Sequence, residues 1–271
     1  MVAPHPSSAR RLDRPLAGGR GQVCVWAGGI LWIGSAGSQG SVHAHHAIQL
    51  AFGDDRPLGF RRGSDAAWTD YAGSLIPADL PHAIDAAERR FAIIFVDPET
   101  AEGRALAART TPGAITALGA AESRAAADRL YGAWTESSDC ARLEPVAREV
   151  VRELAGTAAL RATTDPRVLG AIELIRARLD GRVTLSDVAR ELHVSPSRLR
   201  HLFVEEVGQP FRTYVLWQRL QRAIRDLSAA DRENLTHAAL AAGFADAAHM
   251  TRTFRRMIGA APSALLRARR D

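Results

Sequence analysis

The sequence predicts an α+β protein: a small N-terminal β-barrel trailed by helices, then an all-α C-terminal part built from two similar helical units. Three observations lead there. Short β-prone runs separated by Gly, Pro and Asp fill residues 21–97. Spacing of apolar residues by three and four takes over after Pro98. The segment after Asp165 contains an internal repeat and no convincing strand.

In order, Val23–Trp26 and Ile30–Ile33 are β-prone and separated by a Gly pair. Ile48–Phe52 alternates with period two and stops at Gly53-Asp54-Asp55, a turn signal. Ser74–Pro77 and Phe91–Asp97 follow, the latter so apolar that both of its faces should be buried. Helices are expected over Glu102–Arg109, roughly Ile115–Leu130, and Ala141–Leu154. The last of these aligns Leu143, Val146, Val150 and Leu154 on one face. Periodicity lapses over residues 156–165, an expected linker. Asp165-Pro166 then starts a new helix with an N-cap and a proline at its first position. The predicted organisation is a disordered segment 1–20, a first domain 21–155, the linker, and a second domain 166–271.

Composition narrows the functional classes. Among the 271 residues, 46% are hydrophobic and 24% charged, which excludes collagen, a mostly disordered chain and a multi-span membrane protein. The run Val23–Gly34 is too short and glycine-rich to cross a bilayer. The first twenty residues lack a signal-peptide apolar stretch, so a cytoplasmic protein is expected. Cys24 and Cys140 cannot form a disulfide framework or a Cys-rich zinc site, and are expected to be free thiols in a reducing compartment. Every one of the 35 basic residues is arginine, as codon bias in a GC-rich genome would give, and arginine usage alone says nothing of nucleic acid. Its placement does. Residues 1–165 carry 17 Arg against 19 acidic residues, net −2, whereas residues 166–271 carry 18 against 11, net +7. A polyanion-binding module at the C-terminal end is implied.

The repeat gives that module a shape. Phe203-x4-Gly208 echoes Phe254-x4-Gly259, and Leu185-x3-Ala189 echoes Leu235-x3-Ala239. Each unit has the marks of a helix-turn-helix. In the first, Leu185, Val188, Ala189 and Leu192 face inward. Ser195-Pro196 then caps a second helix that buries Leu199, Leu202 and Phe203. That leaves Ser197, Arg198, Arg200 and His201 outward near the helix start, where a recognition helix meets base edges. In the second, Gly243-Phe244 makes the turn and Met250 and Phe254 face inward, leaving Ala247, Ala248, His249, Thr251 and Arg252 for DNA. Arg255, Arg256, Arg267, Arg269 and Arg270 are read as phosphate contacts or solvated charge, and Arg219 as an internal structural arginine.

Residues 184–267 resemble the DNA-binding domain of the AraC family of bacterial transcription regulators. The matching positions are Ser195-Pro196, Leu199, Leu202-Phe203, Gly208, Phe211, Tyr214, Arg219, Ala223, Gly243-Phe244, His249, Arg252, Phe254, Gly259 and Pro262. His193 stands where the family often has Gly, Ala238 where Ile is usual, and Met250 where Phe is common. The resemblance implies a long helix, here about Phe211–Leu227, that holds two recognition helices roughly 34 Å apart on one face of DNA. It also implies a dimerisation role for Ala141–Leu154, a helix whose other reading is packing against the barrel.

Upstream, Gly37-x5-His43-x-His45-x3-Gln49 resembles the first cupin motif, and Pro77-x-Asp79-x2-His82 the second, with Asp79 where Gly is usual. In cupins two His and a Glu of the first motif ligate metal. Gln49 puts a neutral amide in the Glu position, lowering affinity for a hard cation. AraC-type regulators commonly carry such a barrel as a sensor, so His43, His45, Gln49 and His82 are expected to line an effector pocket. No metal and no cofactor is assigned, and the same three histidines are the candidates if a metal is held. His46, by strand alternation, is expected on the opposite face, and Trp68 and Tyr71 either line the cavity or are plain core.

The resulting expectation is a sequence-specific, effector-responsive transcription regulator rather than an enzyme. Its expected partners are double-stranded DNA, a small-molecule effector, RNA polymerase if it activates, and a second copy of itself. A metal-dependent cupin enzyme or metal sensor fused to a DNA-binding domain is the alternative. A DNA-repair methyltransferase with the same helical module would need zinc-held reactive cysteines, which two scattered Cys do not supply.

Overall fold

The computed structural model describes residues 21–36, 39–156, 165–229 and 235–262. The expected disordered segment 1–20, residues 157–164 of the linker, and Arg267, Arg269 and Arg270 lie outside them. The strands are β1 (Gly21–Trp26), β2 (Gly29–Ala36), β3 (Ile48–Gly53), β4 (Leu58–Arg62), β5 (Thr69–Tyr71), β6 (Gly73–Ile76), β7 (His82–Asp85), β8 (Arg89–Val96) and β9 (Thr116–Ala117). They form an antiparallel sheet in the order β1-β2-β8-β3-β6-β9 and a smaller one in the order β5-β4-β7. Each expected run is a strand. The short β4, β5 and β7 are not legible in the sequence, because Arg, Gly and Asp interrupt their apolar pattern.

β8 sits inside the larger sheet, paired with β2 on one side (Leu31↔Ile94) and β3 on the other (Leu50↔Ile94). Its alternate residues therefore serve two cores. Phe91, Ile93 and Phe95 point into the space between the sheets with Trp32, Ala51 and Phe60. Ala92, Ile94 and Val96 meet helices α1 (Ala101–Ala107), α2 (Ala120–Glu136) and α3 (Cys140–Ala155) through Leu106, Leu130, Leu143 and Val150. Two expectations are corrected by these elements. The expected helix over 115–130 is β9 followed by α2, since Thr116 and Ala117 pair with β6 and the helix starts only at Ala120. The cysteines are not free. Cys24 of β1 and Cys140 at the start of α3 are disulfide-bonded, with Cα atoms 5.3 Å apart, because α3 packs its first turn against β1.

The C-terminal helices are α4 (Pro166–Ala177), α5 (Leu185–Glu191), α6 (Pro196–Val207), α7 (Phe211–Ala229), α8 (Leu235–Ala241) and α9 (Ala247–Ile258). Asp165 caps α4 by accepting from Arg167 N, and Ser195 caps α6 by accepting from Arg198 N, as the sequence implied. The turn before α6 places His193 at φ +54°, the left-handed conformation for which glycine is the easy residue. In the second unit Gly243 has φ +82°, and a Cβ there would lie 1.9 Å from Leu179 O. Arg219 reaches the same place, donating to Leu179 O (3.2 Å) and Gly181 O (2.7 Å), which matches its internal structural reading.

The two helical units differ in what they pack against. α4, α5, α6 and the start of α7 enclose a core of their own, with Val168, Ile172, Leu199, Phe203 and Tyr214. The rest of α7, with α8 and α9, shares one continuous core with the space between the two sheets, through Trp217, Leu220, Ile224, Phe254 and Met257. Among the described residues no helix is long and apolar enough to cross a membrane.

Candidate functional site

On α6, burial of Leu199, Leu202, Phe203 and Val207 turns Ser197, Arg198, Arg200 and His201 to solvent. His201 Nδ1 donates to Ser197 O (2.8 Å), which turns its Nε2 to the outward face. On α9, capped by Asp246, Met250, Thr253, Phe254, Met257 and Ile258 are buried. Ala248 and Arg252 are exposed, whereas Ala247, His249 and Thr251 are half-buried. His249 stands edge-on to Phe244, with ring centroids 5.3 Å apart, so packing already fixes its ring. All nine expected DNA-facing residues lie on the first two turns of α6 and α9.

The histidines converge. His43, His45 and His82 are buried, and their ligand nitrogens all lie within 4.8 Å of one another. His43 and His82 face each other through reciprocal backbone bonds, His43 N to His82 O and His82 N to His43 O, both 2.9 Å. Each ring is anchored through Nδ1 to a carbonyl oxygen: His43 to Ser41 (2.9 Å), His45 to Ala47 (2.8 Å), His82 to Leu80 (2.8 Å). Gln49, buried on β3, places its Oε1 3.0 Å from His45 Nε2 and 3.3 Å from His82 Nε2, while its own Nε2 has no partner. Burial pushes His43 down to about 4 and His45 to about 3, and holds His82 well below the usual imidazole range. All three rings are therefore neutral near pH 7.

Beside this cluster the two halves of the chain are joined by buried polar groups. His46 Nε2 meets Glu99 Oε2 at 2.9 Å, and Glu99 Oε1 accepts from Tyr214 Oη at 2.7 Å. Asp97 Oδ1 accepts from Trp217 Nε1 (2.8 Å) and Gln221 Nε2 (2.6 Å), and Arg176 approaches Oδ2 at 3.5 Å. Burial, then the neighbouring Glu99, pushes the Asp97 carboxyl up to about 6. Burial also opposes the charge on Glu99, but the hydrogen bond and charge of His46 outweigh it and hold Glu99 below the usual range. His46 is correspondingly raised despite its burial. A cleft of about 380 Å³ opens at the junction, lined by His43, His45, His46, Asp79, Gln209 and Arg256 among others. Gln209 donates to Asp79 across it.

α9 ends against the histidine loop. Ser41 Oγ donates to Gly259 O (3.0 Å) and Ala44 N to Arg256 O (3.3 Å). Gly259 has φ +73°, and a Cβ there would lie 2.5 Å from His43 Nδ1.

Two expectations are thereby corrected. His46 does line the cleft, because strand β3 begins only at Ile48 and the preceding loop does not alternate. Trp68 does not line it: Arg61 lies over its ring at 4.8 Å, and Tyr71 packs on Phe60. Arg256, read as phosphate-binding or solvated, also borders the cleft. The joining residues Asp97, Glu99, Trp217 and Gln221 do not stand out in the sequence. The available signals were two acids ending an apolar strand, and glutamines among the apolar positions of α7.

Known proteins are similar to this chain in part or in overall fold. A family profile described as a helix-turn-helix domain matches residues 188–268. ToxT from Vibrio cholerae O395 superimposes with TM-score 0.54 at 12% identity, over 92% of this chain and 95% of that one. Unsaturated fatty acid bound wild-type ToxT from Vibrio cholerae strain SCE256 gives 0.53 at 10% identity, over 94% and 96%. At these identities the likeness is one of fold, and it spans both halves of the molecule. A transcriptional regulator from Chromobacterium violaceum, an AraC-type DNA-binding-domain protein, is 27% identical over 39% of this chain and 96% of its own, with TM-score 0.37. No curated protein matches the chain.

Proposed function

From the premise that residues 188–268 are an AraC-type helix-turn-helix domain, we propose that this chain regulates transcription, reading promoter DNA through α6 and α9 and responding to a ligand at the histidine cluster. The chain is a DNA-binding protein with a ToxT-like two-part fold. The observation that carries the regulatory part is the seating of α9 on the loop bearing His43 and His45: a group bound there touches the element that touches DNA. That a similarly folded protein has been seen with a fatty acid bound supports a ligand-responsive reading of the architecture.

In this reading Arg198, Arg200 and Arg252 supply base or phosphate contacts, while Ser197, His201, Ala247, Ala248, His249 and Thr251 complete the two reading surfaces. His43, His45, Gln49 and His82 form the effector site. α3 brings a second copy onto an adjacent half-site. RNA polymerase is a further partner if the chain activates, the expected compartment is the cytoplasm, and the chain acts by binding rather than catalysis.

Selection of duplexes from a random pool by the full-length chain, followed by titration at several salt concentrations, tests this. A specific duplex is expected to bind about 10³-fold or more tighter than bulk DNA, with affinity falling steeply as salt rises. Enrichment of no sequence would overturn the reading.

A further inference from the structure

We propose that Cys24 and Cys140 form a reversible thiol oxidation site for hydroperoxides, and that the state of this pair sets how firmly α7, the helix joining the two DNA readers, rests on the N-terminal sheet. The thiol chemistry stands by itself; its effect on DNA rests on the function proposed above.

The chain has two cysteines, and the fold joins them across 116 residues. The compartment proposed above keeps thiols reduced, and a disulfide there is usually transient and redox-sensing rather than structural. The two sulfurs are also unequal. Cys24 is 1% exposed, in the core that holds Leu31, Leu143 and Ala147. Cys140, the first residue of α3, is half-buried. Gln22 Nε2 donates to Cys140 Sγ at 3.2 Å, and the N-terminus of α3 lies at the same sulfur. Both favour a thiolate, against the Asp139 carboxylate that caps the helix. Cys140 is therefore the residue that meets an oxidant, and Cys24 the one that resolves it. The Cys140 thiolate attacks one oxygen of hydrogen peroxide, the O–O bond breaks, and the departing hydroxide takes a proton to become water, leaving a sulfenic acid on Cys140. The Cys24 sulfur then displaces the hydroxyl, which leaves as water with the Cys24 proton. Two thiols and one peroxide thus give one disulfide and two waters. Two molecules of a thiol such as glutathione reverse this. The first, as thiolate, attacks the accessible Cys140 sulfur, and Cys24 departs and takes up a proton. The second displaces Cys140 from the mixed disulfide, so the reductant leaves as its own disulfide.

The position of β1 connects this bond to the DNA readers. β1 is an edge of the larger sheet and pairs with β2 alone. Its successive side chains point to opposite faces. Cys24 and Trp26 belong to the core under α3, with Leu143 and Val150. Val23 and Val25 belong to the core that holds Trp217, Leu220 and Ile224 of α7. Both α3 and α7 pack on β1. One strand therefore separates the disulfide from the helix that spaces α6 and α9. With the bond made, β1 is tied to β2 by its ladder and to α3 covalently, and α7 rests on a fixed edge. With the bond open, two thiols need more room than one disulfide, and the packed core around Cys24 offers none. The edge strand then keeps only the β2 ladder and its apolar contacts. The oxidised chain is the preorganised one and should bind DNA more tightly.

The test uses the full-length chain, with thiols counted by alkylation and mass. A glutathione buffer at cytosolic poise should open the bond without denaturant, and about one equivalent of hydrogen peroxide should then restore it within a single chain. A bond that persists in that buffer, or thiols that peroxide leaves unpaired, overturns the site. In Cys24→Ser, peroxide should leave a sulfenic acid on Cys140 that dimedone traps, whereas Cys140→Ser should trap at least about tenfold less. Equal trapping in the two variants overturns the assignment of roles. Amide hydrogen exchange in the wild type should quicken on reduction in β1 and α7 together. Quickening confined to α3 overturns the route between them. The oxidised wild type should bind a selected duplex about fivefold or more tighter than the reduced wild type. Equal affinity of the two forms overturns the effect on DNA and leaves the oxidation site standing. Selection of no duplex at all overturns the function proposed above and leaves the thiol measurements untouched.

Discussion

The two helix-turn-helix units follow one repeated pattern, yet they sit in different mechanical positions. The first closes on itself around Leu199, Phe203 and Tyr214. The second closes on the N-terminal sheets, its Phe254 and Met257 belonging to the same core as Trp32 and Phe95. The contrast is sharpest at one equivalent glycine. Gly208, ending α6, has φ +78°, and a Cβ added there would meet nothing within 4 Å. One added at Gly259, ending α9, would meet His43 and Ser41. In the function proposed above, regulation needs only one of the two DNA readers to be held, and α9 is the helix seated on the histidine loop.

The largest effects should come from the two phenylalanines that anchor these cores. Phe203→Ala and Phe254→Ala should each destabilise by about 3–5 kcal/mol. In denaturant titration Phe254→Ala is expected to bring down the N-terminal sheets with the second unit, whereas Phe203→Ala should leave the fluorescence transition of Trp32 in place. Identical behaviour of the two would break the comparison.

The glycine pair refines it. Gly208→Ala carries only the left-handed backbone penalty, about 1–2 kcal/mol. Gly259→Ala carries that penalty and a clash with the sensor loop, so hydrogen exchange across residues 41–46 should rise in this variant alone. Equal exchange in both would mean α9 is not seated as described.

A smaller effect concerns the buried joint. Asp97, raised to about 6, is penalised when ionised in the folded chain, so its penalty is full above pH 6 and fades as pH falls toward its ordinary value of 3.8. Compared with Asp97→Asn, the wild type should therefore gain up to about 2–3 kcal/mol of relative stability between pH 7 and pH 4. A pH-independent difference in melting between the two would show that Asp97 titrates normally.

Much of this is written in the sequence because local rules carry it. Ser195-Pro196 and Asp165-Pro166 announce helix starts whatever surrounds them, and the unbroken apolar run at Phe91 requires a strand covered on both faces. The four residues expected at the effector site do come together. What the sequence hides depends on partners remote along the chain. The Cys24–Cys140 bond spans 116 residues, and the Asp97–Gln221 contact 124. His46 escapes the alternation rule because it lies in a loop that the His43–His82 pairing bends.

Hydroxyl-radical footprinting of the full-length chain on a selected duplex tests the central claim most directly. Two protected patches on one face, about one helical turn apart, are predicted. Arg200→Ala should weaken one and Arg252→Ala the other, each by about 1–3 kcal/mol of affinity. A single patch, or loss of both together in either variant, would contradict two separately seated readers.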